Sequence, residues 1–160
     1  MKRIALSVFA LAIAAQSASA DTTAGQRALA LSALVAAHSP LLSGQDKHVG
    51  ARLFDGHLKV YVPPDRKIAV KADAVLCRAS NVDITSRSCT LTFGKHTATL
   101  KGRHAHELFA TIAEVGVPED GAAGSVFVGL SNLDCTLDPN EIKQKAGGGA
   151  NCTFNPGAAK

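Results

Sequence analysis

Tryptophan is absent from this 160-residue chain, tyrosine occurs once, and aromatic residues make up only 4% of it. Few rings are therefore available to stack on bases, which argues against nucleic acid as a partner and weakens a sugar-binding reading. No Cys-x-x-Cys occurs among the four cysteines, and the positions Cys77, Cys89, Cys135 and Cys152 fit neither a dithiol redox motif nor a zinc module. Gly-x-Ser-x-Gly is also missing, so nothing singles out a serine nucleophile. Gly121-Ala-Ala-Gly124-Ser125 lacks the Gly-Lys-Ser/Thr ending of a phosphate loop, and Asp134, Asp138 and Glu141 lack the spacing and glycine of an EF-hand. There is no internal repeat, and no linker that divides the chain.

What is present begins with Lys2-Arg3, an apolar run from Ile4 to Ala15, and Ala18-Ser19-Ala20, the three parts of a secretory signal and its cleavage site. The run is too short to span a bilayer and no later segment replaces it, so the mature chain is expected to be soluble, with no transmembrane segment, from Asp21. Residues 21–160 are read as a single secreted domain with a loose C-terminal end. Loss of Lys2 and Arg3 lowers the formal charge from +4 to +2. Export and four cysteines imply an oxidising compartment, periplasmic or extracellular, and a disulfide framework. Three pairings are possible. Cys77 with Cys89 and Cys135 with Cys152 is the preferred one, because each would close a local loop between adjacent strands.

The clearest stretch runs from Cys77 to Pro118. Gly94-Lys95 can form a type II′ turn with glycine supplying the positive φ. Counting outward, Phe93 faces His96, Thr92 faces Thr97, Leu91 faces Ala98, Thr90 faces Thr99 and Cys89 faces Leu100, so one face is apolar and the other is threonine. The period then changes. Ala105, Leu108, Phe109, Ile112 and Val115 lie on one helical stripe, with Gly116 suited to a left-handed C′ position, Val117 to C″ and Pro118 to a stop.

Before this stretch, Thr23-Ala-Gly-Gln26 reads as a capping box for an alanine- and leucine-rich helix ending near Ser39, with Leu31, Leu34, Val35 and His38 on one face. Residues 57–62 and 68–76 alternate as strands, the second through Ile68, Val70, Ala72, Ala74 and Leu76. Cys77 falls out of phase with that set, so its pairing needs a bulge or a strand end buried on both sides. After the helix, Glu119 to Ser125 reads as a loop, Val126 to Leu137 as one long or two broken strands, Asp138-Pro139-Asn140 as a turn, Gly147 to Gly149 as a flexible connection, and Asn151 to Phe154 as a last strand. The fold expected is α+β: an antiparallel sheet of about five or six strands, with an N-terminal helix and one central helix packed on it.

Charge is unevenly distributed. Lys47 to Arg103 carries eleven Lys/Arg and four Asp/Glu, whereas His104 to Glu141 carries seven acidic residues and no Lys or Arg. Either the protein has two faces of opposite sign, or the two halves interleave in the sheet. The best metal candidate is His104-Ala-His106-Glu107 with His96 nearby, since imidazoles and a carboxylate suit zinc or copper. Residues two apart on a helix point to different sides, so His104 and His106 converge only if the first turn is extended. Asn151-Cys-Thr153 matches a glycosylation acceptor, a short pattern that recurs by accident. With no catalytic constellation and no cofactor motif, the sequence reads as an exported, non-catalytic binding protein acting on a protein partner. The alternatives are an inhibitor of an exported hydrolase, presenting a loop such as 80–88 or 119–125, and a small metal-binding protein.

Overall fold

The computed structural model describes residues 21–48, 66–80, 83, 86–115, 119–121, 124–144 and 148–157. The signal reading of 1–20, the strand read at 57–62, the stop at Gly116 to Pro118 and the end of the chain lie outside them. The elements are β1 (Asp21–Ala24), α1 (Gln26–His38), β2 (Ile68–Ser80), β3 (Arg87–Phe93), β4 (His96–Lys101), α2 (Gly102–Ala113), β5 (Glu119–Asp120), β6 (Ser125–Leu137), α3 (Pro139–Gln144) and β7 (Ala150–Pro156). A helical segment also covers 44–48.

The fold is α+β, as the patterning predicts: one antiparallel sheet in the order β1-β7-β6-β2-β3-β4, with the two-residue β5 also paired to β6. Val126 to Leu137 belongs to a single strand. β2 and β6, 13 residues each, form the centre and pair from Ile68↔Leu137 to Ser80↔Ser125. The β3–β4 hairpin has the expected register throughout, and Gly94 has φ 59.

The phase problem at Cys77 has a local cause. Ile68, Val70 and Ala72 face the core, and so do Val75, Cys77 and Ala79, while Ala74 and Leu76 are only half-buried. The inward face therefore switches from even to odd positions near Asp73, and the alternation expected through Leu76 fails there. β6 switches opposite it, from Leu133 to Leu130, and the β2–β6 register is the same on either side, from Ala72↔Leu133 to Ala74↔Ser131. Between them stands Asn132, with φ 52, and the β6–β7 register shifts between Ser131 and Asp134. Asparagine tolerates the left-handed conformation better than most residues, and one such residue in a strand turns the following side chains over.

Both expected disulfides are formed, with Cys77↔Cys89 and Cys135↔Cys152 directly opposite in their ladders and all four residues fully buried. They close loops of 12 and 17 residues, worth about 3 kcal/mol each in the chain-entropy treatment. Cys89 Sγ lies 3.4 Å from the Ala105 carbonyl oxygen of α2, and Cys152 Sγ 3.6 Å from that of Ala28 in α1. Each bridge is thus sealed between the sheet and one helix.

The two helices cover one face and touch each other. α1 buries Leu31, Leu34, Val35 and four small residues, and α2 buries Ala105, Leu108 and Ile112. Each fully buried Leu or Ile contributes roughly 1.5–3 kcal/mol of apolar transfer. Their ends depart from expectation. No capping box precedes α1: Thr23 is paired to Cys152 within β1, and Gly25, at φ 79, is the N-cap without a side-chain bond. Strand pairing has claimed the residue that local sequence offers as a cap. α1 ends at its expected place, with Ser39 as C-cap. α2 has Glu114 as C-cap, one residue earlier than Gly116 at C′ implies.

Asp138-Pro139-Asn140 is not a simple turn. Asp138 Oδ1 accepts the backbone N–H groups of Asn140 and Glu141 at 3.1 and 3.2 Å, capping α3, with Pro139 in the first helical position. Gly149, expected to be flexible, is locked. Its φ is 82, its carbonyl accepts Asp138 N–H at 2.6 Å, and a Cβ there would lie 2.5–2.8 Å from Ile142 and the Asp138 oxygen. The stretch expected as a loop at 119–125 contains β5, and Gly121 N–H donates to the Ser125 carbonyl at 2.7 Å.

The basic and acidic halves interleave. Because β2 pairs with β6, Lys71 meets Asp134 at 2.6 Å and Lys67 meets Asp138 at 3.8 Å, while Arg27 of α1 meets Glu114 after α2 at 2.6 Å.

Candidate functional site

Strand alternation sends every second side chain to the face opposite α1 and α2. Lys71, Asp73, Arg78, Thr90, Thr97, Thr99, Asp134, Thr136, Asn151 and Thr153 are exposed there. At the β1–β7–β6 corner of this face lies a groove of about 730 Å³. Its floor is built from Asp134 and Thr136 of β6 and Asn151 and Thr153 of β7; Lys67, Asp138, Glu141 and the Gly148–Gly149 backbone complete its wall. The volume falls in the usual range for ligand sites.

The floor residues have a particular relation to the covalent frame. Asp134 and Thr136 flank Cys135, Asn151 and Thr153 flank Cys152, and Cys135 is bonded to Cys152 on the buried side. The same bridge that ties β6 to β7 thus fixes the spacing of the four side chains above it. Hydroxyls, an amide and carboxylates supply donors and acceptors, with three carboxylates to one ammonium around the rim. Asp134 is engaged by Lys71 in a largely exposed pair, worth under about 1 kcal/mol and readily exchanged for another cation, and the half-buried Asp138 lies 3.8 Å from the exposed ammonium of Lys67.

The second cluster lies where the β3–β4 hairpin passes into α2. His104 Nδ1 and His38 Nε2, the latter from the last residue of α1, are 2.8 Å apart, with ring centroids 5.1 Å apart and planes at 76°. One nitrogen donates and the other accepts. His38 titrates below the ordinary histidine value of 6.5, chiefly because burial penalises its charged form, with His104 and Lys47 adding repulsion. His106 takes another direction: its Nδ1 accepts from Arg87 Nη1 at 2.8 Å, and the Arg87 guanidinium lies 4.9 Å from the Phe109 ring centroid. His96 is exposed at the hairpin turn opposite Phe93.

The three histidines expected to act together, His96, His104 and His106, therefore sit in three different settings. Among the described residues no group of three or more His, Cys, Asp or Glu is arranged to hold a metal. The residue that sequence reasoning passed over is His38, whose one signal was a polar side chain on an otherwise apolar helical stripe. Asp134, Asp138 and Glu141 do share one site, although they lack any calcium-loop spacing. No helix among the described residues is long and apolar enough to cross a membrane. No protein-family model, curated protein or solved structure matches this chain.

Proposed function

We propose that this protein is an exported, non-catalytic binding protein that engages a protein partner through the groove at the β1–β7–β6 corner. The observation that carries this reading is the placement of Asp134, Thr136, Asn151 and Thr153 around the Cys135–Cys152 bridge. A recognition surface held rigid before binding loses little conformational freedom when the partner arrives, so more of the contact energy appears as affinity. The excess of carboxylates favours a basic, donor-rich segment of the partner. Export rests on the signal-like first 20 residues and on two disulfides, which persist in oxidising compartments.

The test is affinity capture from the native exported fraction with oxidised protein beginning at Asp21. Three baits are compared: the wild type, an Asn151→Arg/Thr153→Arg variant in the groove, and a Thr97→Arg/Thr99→Arg variant on the same face but away from it. A component retained by the first and third and lost with the second supports the reading. Equal capture by all three baits, or no capture, overturns it. A captured hydrolase that loses turnover on stoichiometric addition of the protein would identify the inhibitor alternative.

A further inference from the structure

We infer that His38 and His104 form a two-imidazole site for a divalent transition-metal ion of the zinc or copper type, at the seam between α1 and α2. The two facing nitrogens, Nε2 of His38 and Nδ1 of His104, are 2.8 Å apart and share one proton. A metal ion takes that proton's place. Both rings are then neutral, each with a lone pair on the facing nitrogen and its proton on the far one. Relative to the hydrogen-bonded pair this needs only tautomer exchange in the donor ring, so the proton count is unchanged. With metal–nitrogen bonds of 2.0–2.1 Å and a tetrahedral angle, the nitrogens stand roughly 3.3 Å apart, so the pair has to open by about 0.5 Å. Both residues are half-buried rather than enclosed, and water would supply the remaining ligands.

Several features hold the pair ready. Leu34 and Val35 in the last turns of α1, and Ala105 and Leu108 in α2, are fully buried, so the backbones that carry the two rings are anchored by core packing rather than by the rings themselves. The neighbouring histidine competes poorly, because His106 accepts a hydrogen bond from the Arg87 guanidinium, and a cation beside that nitrogen repels a second one. Lys47 acts on His38 through space and opposes a bound cation, which gives the site a tunable charge.

The test is calorimetric titration of zinc(II) into oxidised, tag-free protein freed of metal. One equivalent is expected to bind, with affinity reduced about tenfold or more by His38→Gln or His104→Gln, unchanged by His96→Gln and His106→Gln, and increased by Lys47→Gln. Absence of saturable binding overturns the inference, as does binding that survives in both His38 and His104 variants or is lost equally in the His106 variant. Copper(II) electron paramagnetic resonance on the wild type gives a readout independent of variant folding. Superhyperfine coupling from two imidazole nitrogens supports the site, and coupling from one or none contradicts it.

Discussion

Gly149→Ala is the substitution for which the structure gives the sharpest expectation. The residue has φ 82, and an added Cβ would meet Ile142 Cγ1 at 2.5 Å, Ile142 N at 2.7 Å and the Asp138 carbonyl oxygen at 2.8 Å. Two of those atoms are backbone and belong to the first hydrogen bond of α3, Ile142 N to Asp138 O at 3.1 Å, so they cannot rotate away. The left-handed conformation alone costs about 1–2 kcal/mol for a residue with a Cβ. Overpacking against fixed atoms adds roughly 1–3 kcal/mol. A loss of about 2–5 kcal/mol follows, a large share of a typical net stability of about 5–15 kcal/mol. Gly157→Ala separates the two contributions, because Gly157 has φ 90 and no atom within 4 Å of the added Cβ, so it should lose only the conformational part. Urea unfolding of the oxidised proteins, followed by circular dichroism, reads both from the midpoints provided the slopes agree. A loss for Gly149→Ala no larger than that for Gly157→Ala would show that the contacts at Gly149 cost nothing.

Further expectations follow from single contacts. Asp138→Ala removes the acceptor for two backbone N–H groups of α3 and should cost about 1 kcal/mol, again read from urea midpoints, whereas Asp138→Asn, which can still cap, should cost less. In metal-free protein, His38 titrates lower when folded than when unfolded, so its contribution is complete above the unfolded value near 6.5. As pH falls through that value the unfolded chain takes up the proton first and stability declines, levelling off only below the folded value. His38→Gln should flatten that part of the stability–pH curve, and an unchanged slope would show that His38 is not the cause. A double-mutant cycle on Lys71 and Asp134, whose side chains are 64% and 48% exposed, should give a coupling below about 1 kcal/mol that shrinks further in salt. A larger, salt-insensitive coupling would mean that the pair is more than a surface contact.

The parts of the fold that local chemistry determines were legible in the sequence. Gly94 pins the hairpin turn, and a slip of one residue would turn Leu91 and Phe93 to water, so the register of β3 and β4 could be counted from the turn outward. The disulfides followed because each pair joins residues that adjacent strands place opposite one another. The inversion at Asp73 and Asn132 was visible only as the misfit of Cys77 in β2, because the left-handed residue, Asn132, stands in the partner strand β6 and leaves no mark on β2 except a broken phase. α3 is six residues long, too short for a helical period to stand out from a turn. The candidate sites were the least legible. His38 and His104 are 66 residues apart and meet only because both helices lie on the same face of the sheet. The groove is assembled from β1, β6, β7 and the segment around α3, and its acidic members, dismissed by linear spacing, converge through strand pairing.

Recognition by the groove on the sheet face opposite the helices is the central claim. Its most direct test is the affinity of the purified captured partner for the Asn151→Arg/Thr153→Arg protein, measured by calorimetry beside the wild type and the Thr97→Arg/Thr99→Arg control. The groove substitutions should weaken binding about tenfold or more, as expected when bulk and like charge enter a contact that selects a basic segment, while the control binds as the wild type does. Equal affinity across the three proteins would contradict it.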